Sequence, residues 1–92
     1  MKLPKTVQIG GFRFKVLKVE RIDDNESEGE CSVHKKTLLI KEGMGETEFQ
    51  VFLHEVVHAI GIIYCADTLT EQQVESISQG LFQVVQDLEW IK

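Results

Sequence analysis

One stretch constrains this chain more than any other. Residues 47–63 read TEFQVFLHEVVHAIGII, apolar on almost every side of a helix. A helix of that kind has to be covered on more than one face, unlike a surface helix with a single apolar stripe. In a chain of 92 residues this leaves room for one core, so residues 1–92 are read as a single domain built around that helix. Hydrophobic residues make up 42%, charged residues 27%, and there is one proline, a composition that folds. Little apolar area is in surplus at this size, so a bound metal would help to hold the fold.

The segments before the helix provide the cover. Residues 6–20 alternate Val7, Ile9 and then Phe12, Phe14, Val16 with polar neighbours around Gly10-Gly11, the signature of a β-hairpin closed by a tight turn. Residues 23–30 are largely acidic and read as a solvated loop. A calcium loop is disfavoured there because Lys35 stands where its bidentate glutamate belongs. Residues 31–41 read as a second short hairpin turning at His34-Lys35-Lys36, with residues 37–40 as an edge strand guarded by Lys36 and Lys41. After the buried helix, Thr70 and Gln73 form a capping box, and Val74, Ile77, Leu81, Val84 and Leu88 recur at helical spacing. A second, amphipathic helix is expected from about residue 71 to 89. The expected fold is α+β: a small antiparallel sheet of two hairpins packed on two C-terminal helices.

Charge and cysteine content narrow the partners. Ten Lys plus Arg against fifteen Asp plus Glu give a net charge of −5, which argues against nucleic acid and against an anionic membrane surface. Two cysteines, Cys31 and Cys65, are too few for a disulfide framework, and no apolar run is long enough for a signal peptide or a membrane span. A cytoplasmic location is expected.

The chemistry lies within the buried helix, where His54-Glu55-Val56-Val57-His58 matches H-E-x-x-H. Spacing of i and i+4 stacks the two imidazoles on one face, able to bind one ion, with Glu55 about 100° away and near enough to act on a metal-bound water. A carboxylate among Phe52, Leu53, Val56 and Ile60 costs several kcal/mol unless something compensates, which a divalent cation would do. The plainer reading has two core histidines bonded to backbone carbonyls.

HEVVHAI, a short loop and a helix beginning LTEQQVE resemble the zincin metallopeptidases, in particular the minimal, often phage-encoded members of the ImmA/IrrE type. The resemblance covers most of the chain and implies a gluzincin-type site, in which the third zinc ligand is a glutamate on the helix after the motif helix. Glu75, one turn into that helix, is the first choice for this ligand, with Glu71 and Asp67 as alternatives near the helix start. Gly61 follows His58 as in the longer metzincin motif, but Tyr64 stands where that motif has its third histidine. Tyr64 and His34 are candidate oxyanion or substrate contacts, against the plainer reading of a helix-end tyrosine and a solvated turn histidine. Neither cysteine reads as a nucleophile.

The implied activity is zinc-dependent hydrolysis of a peptide or protein substrate, with Glu55 as general base toward a zinc-activated water. The resemblance also implies an extended substrate along an edge strand before the motif helix, a place that Thr37, Leu38, Leu39 and Ile40 fit by chain order. For a phage-encoded chain the setting would be the host cytoplasm. The alternative is a metal-stabilised protein-binding or regulatory module without turnover. Such a module needs the histidines but has no use for Glu55.

Overall fold

The structure, a computed structural model, describes residues 2–22 and 27–88. Four strands and two helices follow in order: β1 (Thr6–Ile9), β2 (Phe12–Val19), β3 (Gly29–Ser32), β4 (Thr37–Lys41), α1 (Thr47–Tyr64) and α2 (Glu71–Asp87). The fold is α+β, a single sheet with two helices, and both expected hairpins form. In the first, Gly10 alone of the two turn glycines has positive φ, at +64°, the pattern of a II′ turn that suits the twist of the strands. In the second, Lys36 takes φ +57° and its ammonium lies 4.6 Å from the Phe12 ring centroid, a cation–π contact.

Two expectations about the sheet need correction. The strand order is β1-β2-β4-β3, and β2 pairs with β4 in parallel, Val16 opposite Leu38 and Lys18 opposite Ile40. The sheet is therefore mixed and not antiparallel throughout. Residues 37–40 form an interior strand, hydrogen-bonded to β2 on one side and to β3 on the other; the edge beside the helices is β3. Leu38 and Ile40 are fully buried, and so apolar a strand has more to gain in the middle of a sheet than at its rim.

Ile9, Phe14, Val16, Leu38 and Ile40 of the sheet pack on Phe52 and Ala59 of α1 to form the core. The molecule has three layers: the sheet, then α1, then α2. α1 touches β1, β3 and β4 on one side and α2 on the other, which explains a helix apolar nearly all round. Its entry is tied down by the buried Glu48 and the exposed Lys18. Glu48 Oε2 accepts hydrogen bonds from the Gly43 and Met44 amides and Oε1 lies 2.9 Å from Lys18 Nζ. The Lys18 bond, with help from those amides, holds the Glu48 carboxyl below its ordinary value despite partial burial.

α2 begins at the expected capping box, with the Thr70 hydroxyl accepting from the Gln73 amide and the Gln73 side chain accepting from the Thr70 amide. It reaches Asp87, capped by Leu88; residue 89 lies outside the described residues, as do residues 23–26, half of the expected acidic loop, whose last two residues, Gly29 and Glu30, instead open β3. No helix among the described residues is long and apolar enough to cross a membrane.

Candidate metal centre

The i, i+4 spacing does what it promises. His54 and His58 project from one face of α1 with ring centroids 4.8 Å apart and planes at 69°. The residue that completes the group is Glu71, the first residue of α2. Its Oε1 lies 3.0 Å from His54 Nε2 and 3.2 Å from His58 Nε2. One ligand atom from each of the three residues falls within 4.8 Å of the others, a grouping able to hold a divalent cation.

Glu75, the first choice for third ligand, has a different place. Its Oε2 is 2.9 Å from Nδ1 of His54, the ring nitrogen pointing away from the cluster, and its Oε1 accepts from Gln79 Nε2 at 2.7 Å. Ligating histidines ordinarily donate their second nitrogen to a carboxylate in this way, which fixes the tautomer and orients the ring. The structure thus puts Glu71, and not Glu75, in the group that could hold an ion, with Glu75 behind His54. Asp67 lies in the α1–α2 turn with φ +58° and is not among the residues of the group.

The His54 contacts test whether a cation fits. A neutral imidazole carries one proton, yet each nitrogen of this ring faces a carboxylate, Glu75 at Nδ1 and Glu71 at Nε2. A proton on Nδ1 satisfies Glu75 and leaves the Nε2 lone pair against a carboxylate oxygen that His58 Nε2 also faces. Either a second proton on the ring, which lets it donate to both carboxylates, or a cation among the two Nε2 atoms and Glu71 removes that repulsion, so the donor set fits a divalent metal as well as a proton. The Glu71 carboxyl is partly desolvated, but the hydrogen bonds and charge of the two histidines outweigh this and hold it below its ordinary value.

Glu55 faces the other wall. It is buried beneath β3, where a Cβ on Gly29 would come within 2.8 Å of Glu55 Oε2 and 2.6 Å of Val51 Cγ1. Only glycine lets the strand approach α1 this closely, and sequence alone gave no sign of it because Gly29 sits at the end of an acidic stretch. Burial raises the Glu55 carboxyl above its ordinary value, opposed by the charges of His58 and His54. A base near the ligands with raised basicity is suited to accept a proton.

These groups line a cleft of about 700 Å³ between β3, α1 and α2. It takes in Gly29, His54, Glu55, His58, Glu71 and Glu75 and continues along α2 past Phe82 to Gln86. Tyr64 and His34 are not among the lining residues: Tyr64 is exposed at the end of α1 and His34 is exposed in the β3–β4 turn. Gly61 serves the end of α1, its carbonyl accepting from the Cys65 and Asp67 amides. Cys31 and Cys65 are free. Burial, reinforced by the charges of Glu55 and Glu30, pushes the Cys31 thiol up to about 11, which makes it a poor nucleophile at neutral pH. No family model, curated protein or solved structure matches this chain.

Proposed function

We propose that this chain is a zinc-dependent metallopeptidase, with His54, His58 and Glu71 as ligands and Glu55 as general base. The observation that carries the reading is the convergence of two imidazole Nε2 atoms on one Glu71 oxygen, with a buried carboxylate of raised basicity at the second position of the motif. Two imidazoles and one carboxylate are the three-ligand set of catalytic zinc, which keeps its fourth position open. Zinc bound there would supply a Lewis acid for a carbonyl oxygen and a water of lowered pKa.

Each protein group then has a defined task. Glu75 holds the proton on His54 Nδ1, and Gln79 steadies Glu75. Glu55 takes a proton from the attacking water and returns it to the leaving amine nitrogen. Among the described residues β3 is the unpaired strand edge beside the cleft, so an extended substrate would pair there and not on residues 37–40. α2 supplies the facing wall, a role that a chain this short would otherwise have no element to fill. The resemblance to minimal gluzincins agrees with this assignment, and the two free cysteines suit a reducing cytoplasm. A metal-stabilised binding module would share the ligands but would have no use for Glu55 beside them.

The test is cleavage of unfolded casein by zinc-loaded protein, with Glu55→Gln as the variant. Loss of turnover by at least about 100-fold with zinc content retained is expected. Cleavage at the wild-type rate by Glu55→Gln, or no cleavage by zinc-loaded wild type, contradicts the reading.

A further inference from the structure

The outer side of α2 has no use in the chemistry above. Ile77, Leu81, Val84 and Leu88 lie along it at 43%, 40%, 53% and 47% exposure. Their steps of four, three and four residues trace the seam along which two helices pack knobs into holes. From residue 76 to residue 86 no side chain is charged, although 27% of the whole chain is. Depletion of charge around exposed large apolar side chains distinguishes the centre of an interface from ordinary surface. Gly80 borders the stripe, and a Cβ there would meet nothing within 4 Å, so packing inside the chain does not account for a glycine in mid-helix. At a helix–helix contact it lets backbones come close.

We propose that this face joins two copies of the chain, α2 against α2 in antiparallel register about a two-fold axis near Phe82 and Gln83. An uncharged apolar seam at heptad spacing is complementary to itself, and antiparallel helices set each dipole against its opposite. The register sets Ile77 against the second copy's Leu88 and Leu81 against its Val84. It also leads Leu88 toward a shallow groove lined by Leu69, Thr70, Gln72, Gln73, Ser76 and Ile77, at the other end of the stripe. The four side chains expose about 300–400 Å² of apolar surface, the size of the largest patch that a monomer ordinarily leaves open. The flanking residues of both copies would have to join them for the contact to reach about 1,000 Å², the least that a weak biological interface ordinarily buries.

The pairing bears on the metal centre. Among the described elements α2 packs on α1 alone, and it carries Glu71 and Glu75; a second copy would grip it from the flank, roughly 90° around the helix from the α1 contact.

Sedimentation equilibrium of the full chain tests the proposal. From about 5 to 500 µM, a range suited to a small interface, the mass should rise from 10.5 kDa to twice that value, and 1 M salt should not reverse the rise. Leu81→Glu and Val84→Lys should each stay monomeric with an unchanged far-UV spectrum. Both substitutions in one chain should restore the dimer, because the two-fold sets position 81 of each copy against position 84 of the other. A wild type that stays at 10.5 kDa throughout overturns the proposal, including one that instead binds lipid vesicles. Single variants that still dimerise overturn it as well, and failure of the double variant to recover overturns the antiparallel register.

Discussion

The two helices are nearly equal in length and are used in opposite ways. α1 lies between the sheet and α2, and Phe52, Val57 and Ala59 are buried along it. Among the described elements α2 lies on α1 alone, with Val74 and Ser78 its buried residues. The histidines and Glu55 therefore stand on the most constrained element of the fold, while Glu71 and Glu75 stand on the least constrained. One half of the site is rigid by packing, and the other half depends on the α1–α2 contact and on the interactions of the site itself.

Substitutions should separate the helices by size of effect. Phe52→Ala removes a core ring on α1 and should cost about 3–5 kcal/mol in urea unfolding, whereas Leu81→Ala on α2 should change the stability of the monomer by no more than about 0.5 kcal/mol. Equal losses would break the comparison. Gly29→Ala drives a methyl group into Val51 and Glu55 and should cost about 1–3 kcal/mol. It should also reduce turnover, because Glu55 must move, while zinc content stays the same. Turnover and melting temperature both at wild-type values would show that the strand yields without cost.

A smaller effect is expected at the entry of α1. Glu48→Gln should destabilise by about 1 kcal/mol at neutral pH through its charged hydrogen bonds. The Glu48 carboxyl is held below its ordinary value of 4.5, so its contribution is complete above that pH and is lost as pH falls through the lower folded value. The difference between wild type and Glu48→Gln should shrink below about pH 4.5; a gap that widens in acid contradicts the assignment. The mildest prediction is chemical. At pH 8, Cys31, half-buried with its thiol near 11, should react with iodoacetamide more slowly than Cys65; the reverse order would place Cys31 outside the shelter of β3 and α1.

Both hairpins, both helices, the capping box and the histidine pair were legible because each is written in local spacing. The parallel pairing of β2 with β4 was not, since the alternation in FRFKVLKV assigns faces and says nothing of neighbours. Which glutamate joins the histidines depended on the rotation of α2. Of its apolar residues 74, 77, 81, 84 and 88, which suggest a packed face, Val74 is buried and the other four are exposed; Val74, Ser78, Phe82 and Val85 are the more buried set, centred roughly 90° around the helix from those four at 100° per residue. That rotation brings Glu71 toward the histidines and carries Glu75 to the flank of His54. The amide of Gln79, one turn beyond Glu75, was the available sign that Glu75 is held as a support.

The central claim is that Glu71 binds the metal and Glu75 orients His54. Zinc affinity by competition with a chromophoric chelator, for wild type, Glu71→Ala and Glu75→Ala, tests it most directly. One zinc per chain is expected in the wild type, with the greatest loss of affinity in Glu71→Ala and about a 10–100-fold loss in Glu75→Ala. Wild-type affinity in Glu71→Ala, or a greater loss in Glu75→Ala than in Glu71→Ala, would contradict it.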